Sequence, residues 1–196
     1  PHLGSMLACK TDRQTLEQLV LKTDEQRQKI QLAGINSPTQ TIISGESEAI
    51  LLAQKTLKEA KVRTIPLTVS HAFHSQLMAP MLPAFEKIYS PMQTRSPKDH
   101  PKLITNLDGR IATEDTFHRD YWSQHIIQPV HFLDSIRQAW TQGCRIFIEV
   151  GPQPVLSKLA EQSVPNDEPG WFIPCLSKKK PIETFLTALA QLETLL

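Results

Sequence analysis

Val69-Ser70-His71-Ala72-Phe73-His74-Ser75 stands where two sequence patterns meet. Before it, β-branched residues predict a strand over Val62–Leu67, and after it an apolar repeat predicts a helix over Ser75–Tyr89. Imidazole titrates near neutral pH, so a histidine on a rigid strand–helix turn is suited to act as a general base. This context favours His74 as that base, whereas His71 is equally consistent with a core histidine satisfied by hydrogen bonds.

The composition is that of a globular protein with an ordinary core. The chain has 196 residues, of which 40% are hydrophobic and 21% charged, so we expect one domain or one domain with a small subdomain. The net charge of +1 gives no electrostatic basis for binding nucleic acid or an anionic membrane. The run Lys178-Lys179-Lys180 is read as a solvated loop.

The three cysteines are few, odd in number and widely spaced. Cys9 and Cys144 lie in apolar runs, while Cys175 stands apart from both. This usage predicts buried, reduced thiols and therefore a cytoplasmic protein. No signal peptide and no bilayer-length apolar run is visible in the sequence.

The first part of the chain predicts the order strand, helix, strand, strand, helix, strand. This order is that of a split βαβ, ferredoxin-like unit. The predicted elements are a strand at Met6–Lys10, a helix capped by Thr11 or Asp12, strands at Gln31–Ile35 and Thr39–Ser44, a helix at Ser47–Lys61 and a strand at Val62–Leu67.

Beyond the histidine turn, helices alternate with apolar strands, which predicts a parallel α/β layer. Two helices are expected to face a core: Ser75–Tyr89 through Leu77, Met78, Met81, Leu82, Phe85 and Ile88, and Pro181–Leu196 through Phe185, Leu186, Leu189, Leu192 and Leu196. The other predicted elements are a Pro-rich, charged connection at Ser90–Pro101, strands at Lys102–Asn106, Arg145–Val150 (buried) and Trp171–Leu176, and helices that start at Tyr121 and end before Pro129, at Phe132–Gln142 and at Val155–Gln162.

Five blocks of this sequence resemble, in order, the acyltransferase domain of polyketide and fatty acid synthases. The blocks are Gly4-Ser5-Met6-Leu7-Ala8, the stretch Asn36 to Gly45, the stretch Val69 to Met78, Tyr121-Trp122 with His125 and Pro129-Val130, and Glu149-Val150-Gly151-Pro152. The resemblance implies an α/β protein with a ferredoxin-like βαββαβ subdomain over residues 5–68. It also implies that residues 69–196 are the C-terminal part of an α/β-hydrolase-like core with a trailing helix.

The resemblance assigns roles to five residues. His74 corresponds to the general base, oriented by a backbone carbonyl near His125 in a dyad without an aspartate. Asn36 matches a residue near the acyl site, although a plain turn residue before a proline explains it equally well. His71 and Phe73 match positions that vary with the extender unit, and the His-Ala-Phe-His form is associated with malonyl rather than the bulkier methylmalonyl.

The same family uses a nucleophilic serine on a Gly-x-Ser-x-Gly turn, and this sequence contains no such motif. The serine, the oxyanion-hole groups and the arginine that pairs with the malonyl carboxylate are expected upstream, so the chain alone should not transfer acyl groups. The implied substrates are acyl-coenzyme A as donor and the phosphopantetheine of an acyl carrier protein as acceptor. Neighbouring synthase domains are the implied partners, and no cofactor or metal is expected on this chain.

Two other functions remain open from sequence. The chain could be a non-catalytic docking or structural fragment of a synthase. It could also be a small serine esterase using Ser47 in Gly45-Glu46-Ser47-Glu48-Ala49, a near match to a nucleophile turn. Glu46 and Glu48 would oppose an oxyanion there, and Ser47 is better placed as a helix N-cap. A zinc site at His71-x-x-His74 lacks further ligands at suitable spacing.

Overall fold

The computed structural model describes residues 4–89, 102–113, 115–117 and 120–195. The chain forms two units, Pro1–Ser135 and Ile136–Leu196. The subdomain boundary near residue 68 stays a prediction. The connection expected at Ser90–Pro101 lies outside the described residues.

A four-stranded antiparallel sheet organises the first unit. Its strands are β1 (Ser5–Cys9), β2 (Ile30–Ser37), β3 (Gln40–Gly45) and β4 (Thr64–Pro66). β3 lies between β1 and β2, and β4 pairs with the other edge of β1. All four strands were expected from sequence, and their ends differ from the expected ones by no more than two residues.

Helices α1 (Arg13–Val20) and α3 (Ser47–Glu59) build the main core of this unit together with the sheet. Asp12 caps α1, because its side-chain oxygen accepts a hydrogen bond from the Thr15 N–H at 2.9 Å. The core consists of apolar side chains spaced at two along the strands and at three or four along the helices: Leu7, Cys9, Leu16, Val20, Leu21, Ile30, Ile43, Ile50, Ala53 and Leu57.

A short helix, α2 (Asp24–Lys29), was not expected from sequence. It buries no residue, so it carries no hydrophobic repeat to reveal it. The signal that was present is a capping box. Thr23 accepts from the Gln26 N–H at 3.2 Å, and the Gln26 side chain accepts from the Thr23 N–H at 3.1 Å.

The second face of the sheet holds a smaller apolar cluster, and the outer edge of β2 receives one further residue. Val130 forms a parallel bridge with Gly34. The Val130 N–H donates to Ala33 O at 2.9 Å, and the Ile35 N–H donates to Val130 O at 2.9 Å. The chain at Val130 is thereby tied to the sheet. The cluster on this face comprises Met6, Ala8, Ala33 and Ile42, with Leu67 packed against it.

The helix expected over Ser75–Tyr89 is two elements: a 3₁₀ helix at Gln76–Met81, with Pro80 inside it, and α4 (Leu82–Tyr89). The expectation that six apolar side chains of this segment are buried is wrong. None of them is buried, and Ile88 is 74% exposed. The periodicity specified an apolar face, but it carries no information on what covers that face.

Two helices follow, α5 (Tyr121–Ile127) and α6 (Phe132–Thr141), close to their expected positions. The prediction of a strand at Lys102–Asn106 is wrong. Its described residues form a single bridge between Ile104 and Ile111, because the chain turns back at once. Gly109 allows this turn with a φ of +70°, and a side chain there would meet Asp134.

The second unit contains a parallel strand pair, β5 (Ile146–Glu149) and β6 (Trp171–Pro174), with helices α7 (Leu156–Glu161) and α8 (Pro181–Leu195). The expected parallel pairing is confirmed. The expectation that the first of these strands is buried is wrong, since none of the four residues of β5 is buried and Ile148 is 48% exposed.

The expectation that α8 packs its apolar stripe inward is also wrong. Phe185, Leu186 and Leu189 are exposed, and Ala188 is the residue of this helix that is buried. As for the helix that contains Ile88, the hydrophobic repeat identified the apolar face of α8. The repeat does not show which surface, if any, packs on that face.

The cysteines are all free thiols. Cys9 is buried in the core, and burial raises the pKa of its thiol to about 12, which keeps it protonated and unreactive. Cys144 is exposed, so the expectation of a buried thiol is wrong there, and Cys175 is half-buried. No described helix is both long and apolar enough to cross a membrane.

Candidate active site

The histidine turn is held by its own short hydrogen bonds. The Ser75 hydroxyl is fully buried and donates to Ala72 O at 2.6 Å, while the Phe73 N–H donates to His71 O at 3.0 Å. Ser75 also precedes the 3₁₀ helix as its N-cap residue. These two hydrogen bonds restrict the conformation of the turn.

Close packing against the start of β1 fixes where this turn lies. A Cβ at Gly4 would lie 2.5 Å from the Ala72 Cβ and 2.7 Å from a Leu77 methyl, so only glycine fits there. His74 itself has a φ of +56°, the left-handed region that non-glycine residues rarely adopt. Such a conformation persists where surrounding contacts determine it, which is common at functional sites.

The contacts that determine it join His74 to the end of α5. Its Nδ1 lies 3.1 Å from the backbone oxygen of His125 and 3.0 Å from that of Gln128. A carbonyl oxygen can only accept, so Nδ1 must carry the proton. The other ring nitrogen, Nε2, then has the lone pair that a general base needs.

Aromatic rings surround the second histidine of this pair. The His125 ring lies 5.8 Å from the His74 ring, edge to face, and 6.1 Å from both Tyr121 and Trp122. Burial lowers the pKa of His125, and the charge of His74 lowers it further. Both effects disfavour the charged form of the His125 ring.

The structure brings four of the five site residues predicted from sequence into one region. His71 and Phe73 sit in the same turn as His74, with their rings 6.0 Å apart. Phe73 is 39% exposed, so a substrate can reach it. Asn36 lies near the end of β2, half-buried, and makes no hydrogen bond to the other four among the described residues.

Among the described residues, the contacts of Ser47 do not favour a nucleophile. It is the first residue of α3, and the N-cap is Glu46, so the expectation that Ser47 caps the helix is wrong. Its hydroxyl lies 2.8 Å from the Ser5 hydroxyl, which is not a base. Flanking carboxylates at Glu46 and Glu48 would repel an oxyanion formed at this serine.

Glu149, within the Glu-x-Gly-Pro block, has a structural role that sequence reasoning missed. Its carboxylate accepts hydrogen bonds from the backbone N–H groups of Val155, Leu156 and Ser157, at 3.1, 2.9 and 2.8 Å. Burial opposes ionisation of this group, but the three N–H donors lower its pKa below the ordinary 4.5. Glu149 thus satisfies the open N-terminus of α7.

Glu149→Gln should therefore destabilise the protein at neutral pH by about 1 kcal/mol, the scale of a lost helix cap. Because folding lowers this pKa, the contribution is complete above pH 4.5 and disappears as the pH falls through the folded-state value. Urea denaturation of both proteins at neutral and acidic pH measures this difference. Glu193→Gln, on the exposed surface of α8, is the control, and equal losses in the two variants would contradict the capping role.

The described residues contain no group of three side chains able to hold a metal ion. A cleft of about 460 Å³ lies between α2 and α3, lined in part by Glu25, Lys29, Glu46 and Leu52. None of the predicted site residues lines this cleft. The candidate site consists of the His74 turn and the end of α5.

The sequence matches the family described as "Acyl transferase domain" over residues 4–195. This chain belongs to that acyltransferase family. Among curated proteins, it is 37% identical over 164 residues to the phenolphthiocerol synthesis polyketide synthase type I Pks15/1 of Mycobacterium marinum, covering 82% of this chain and 8% of the relative. It is 33% identical over 192 residues to the mycoketide-CoA synthase of Mycobacterium tuberculosis, covering 97% of this chain and 4% of the relative.

Solved structures agree with this assignment. The acyltransferase domain from the second module of the salinomycin polyketide synthase superposes with a TM-score of 0.87 at 32% identity, covering 97% of this chain and 44% of that chain. Malonyl CoA-acyl carrier protein transacylase from Clostridium perfringens, at 24% identity, shares the fold with a TM-score of 0.82 over 98% of this chain and 58% of its own. The fold is α/β, and the chain spans about half the length of these domains.

Proposed function

We propose that this chain is the part of a synthase acyltransferase domain that supplies the general base and part of the acyl site. In this proposal residues 5–68 form the ferredoxin-like subdomain and residues 69–196 the C-terminal part of the α/β-hydrolase-like core. The nucleophilic serine belongs to the remainder of the domain, since this sequence has no Gly-x-Ser-x-Gly turn.

The observation that carries the proposal is the contact of His74 Nδ1 with two backbone carbonyls, in a chain of the acyltransferase family. In the first half-reaction His74 Nε2 takes the serine proton as the hydroxyl attacks the thioester carbonyl of the acyl-coenzyme A. The coenzyme thiolate then leaves with that proton. In the second half-reaction the phosphopantetheine thiol of an acyl carrier protein attacks the acyl-serine, and His74 exchanges protons in the same way.

A malonyl extender unit is the substrate that the turn favours. Phe73 is exposed beside the base, and a phenyl ring there leaves less room for an α-methyl group than a small side chain would. The His71 ring lies beside the Phe73 ring, tilted by 57° with the ring centres 6.0 Å apart, and is proposed to take part in the same choice of acyl group. Asn36 is proposed to help position the acyl group from the end of β2.

The experiment is a competition between malonyl- and methylmalonyl-coenzyme A, using the complete domain that contains this chain and its acyl carrier protein. The wild-type domain should transfer malonyl preferentially, and failure to transfer any acyl group would overturn the proposed function. Phe73→Ser should narrow the preference by about 1–3 kcal/mol in the ratio of kcat/KM values, the energy scale of one methylene. An unchanged ratio in Phe73→Ser would show that selection by volume occurs elsewhere.

A non-catalytic role is the second candidate, while the described contacts of Ser47 do not favour an esterase. The exposed apolar faces of α4 and α8 are compatible with a docking fragment. A domain that folds and binds carrier protein but forms no acyl-serine would favour that role.

A further inference from the structure

At the end of α5, the backbone oxygen of His125 has no hydrogen-bond donor from the helix, because residue 129 is a proline. In an α-helix the N–H of residue i+4 donates to the oxygen of residue i. For His125 that donor would belong to residue 129, which is a proline and has no N–H. The oxygen of His125 is thus left without its helical donor and lies 3.1 Å from His74 Nδ1.

The same proline determines the conformation of the residue before it. Proline disfavours helical φ and ψ in the preceding residue and forces it toward an extended conformation. Gln128 has φ −92° and ψ 157°, while its N–H still closes the last turn of α5 on Gln124 O at 2.8 Å. The change in ψ turns the Gln128 oxygen out of the helix direction, to 3.0 Å from His74 Nδ1.

The residue after the proline completes the arrangement. Val130 is paired with β2 through two hydrogen bonds of 2.9 Å. The peptide between Gln128 and Val130 is therefore fixed at one end by the helix and at the other by the sheet. Ala72, in the same turn as His74, lies close to Gly4 just before β1, so the turn and the two carbonyls are both held against the same sheet.

We infer that Pro129 is a positioning residue for His74, because it leaves the oxygen of His125 open and directs the oxygen of Gln128 toward the same Nδ1–H. This inference rests on the proposed role of His74 as general base. Two acceptors on one nitrogen hold the ring in the Nδ1–H tautomer and keep Nε2 available. An alanine at position 129 would restore an N–H that competes for the His125 oxygen and would let Gln128 continue the helix.

The test compares the wild-type complete domain with Pro129→Ala, and uses Pro83→Ala as the matched control. Pro83 is exposed in the first turn of α4 and lies outside the site. The readouts are the ¹⁵N NMR spectrum of labelled histidine, the single-turnover acylation rate, and the KM for the acyl-coenzyme A. His74→Ala identifies the His74 signals, and melting curves of all proteins report folding.

The wild type should show His74 in the Nδ1–H tautomer. Pro129→Ala should show an increased share of the Nε2–H tautomer and acylation slowed roughly two- to tenfold, the scale of one net hydrogen bond, with KM unchanged. Pro83→Ala should change neither. An unchanged tautomer in Pro129→Ala, or a rate that falls only in step with the melting temperature, would overturn the inference.

Should Pro129→Ala not fold, the wild-type spectrum still decides, because an Nε2–H tautomer at His74 contradicts the two-carbonyl arrangement outright. A domain that shows the expected tautomers but transfers no acyl group would overturn the proposed function and leave the positioning role of Pro129 intact.

Discussion

Replacing His74 by alanine in the complete acyltransferase domain should slow acylation and transfer by about 10²–10⁴-fold. A serine hydroxyl is a weak nucleophile until a base takes its proton, and the departing thiolate gains from the same imidazole acting as acid. His74 is the residue whose Nδ1 is held by the oxygens of His125 and Gln128, which leaves Nε2 for this task. Single-turnover acylation with labelled malonyl-coenzyme A measures the loss.

His71→Ala is the matched control, three residues away in the same turn. It should reduce acylation far less and act mainly on the choice between malonyl and methylmalonyl, since its ring contacts Phe73. His74 is only half-buried, so its replacement should leave the melting curve nearly unchanged. If His71→Ala abolishes acylation and His74→Ala does not, the base is His71.

Leu57→Ala should lower the free energy of unfolding by about 2–5 kcal/mol. The Leu57 side chain is 0% exposed, at the centre of the core that α1, α3 and the sheet share, so its removal leaves a cavity. Leu51→Ala is the control on the same helix, because Leu51 is 64% exposed and its loss should change stability by less than about 0.5 kcal/mol. Urea denaturation of the complete domain compares them.

Equal losses in these two variants would contradict the orientation of α3 on the sheet. A large loss at Leu51 alone would mean that the helix presents its other face to the core. The comparison does not depend on the catalytic proposal, so it tests the fold separately from the function.

Sequence was sufficient for the sheet of the first unit because each of its strands is a short β-branched or apolar run bounded by turn residues. The sequence was insufficient for α2, because this helix buries no residue and therefore has no hydrophobic repeat. Its main signal is the capping box formed by Thr23 and Gln26. The apolar faces around Ile88 and Leu186 were identified correctly, but a repeat does not encode the surface that will cover it.

The candidate site shows the same division. His74 could be proposed as the base from sequence because an imidazole on a strand–helix turn is a chemical signal in itself. Its acceptors could not be derived from the residues alone, since every residue has a backbone oxygen and the side chains of His125 and Gln128 are not the groups used. The sequence feature that relates to those oxygens is Pro129, which has no N–H to donate. Its effect on them depends on where α5 ends.

The pairing of Val130 with the edge of β2 has a consequence for exchanging parts between synthases. The segment 69–75 contains both the proposed base and the residues proposed to select the extender unit, whereas the carbonyls that contact the proposed base come from 121–130, about fifty residues later in the chain. A recombination breakpoint between these segments would join a base from one parent to carbonyls from another. Chimaeras that inherit β2, the histidine turn and α5 through Val130 from one parent should keep their turnover. Chimaeras that take these segments from two different parents should lose it.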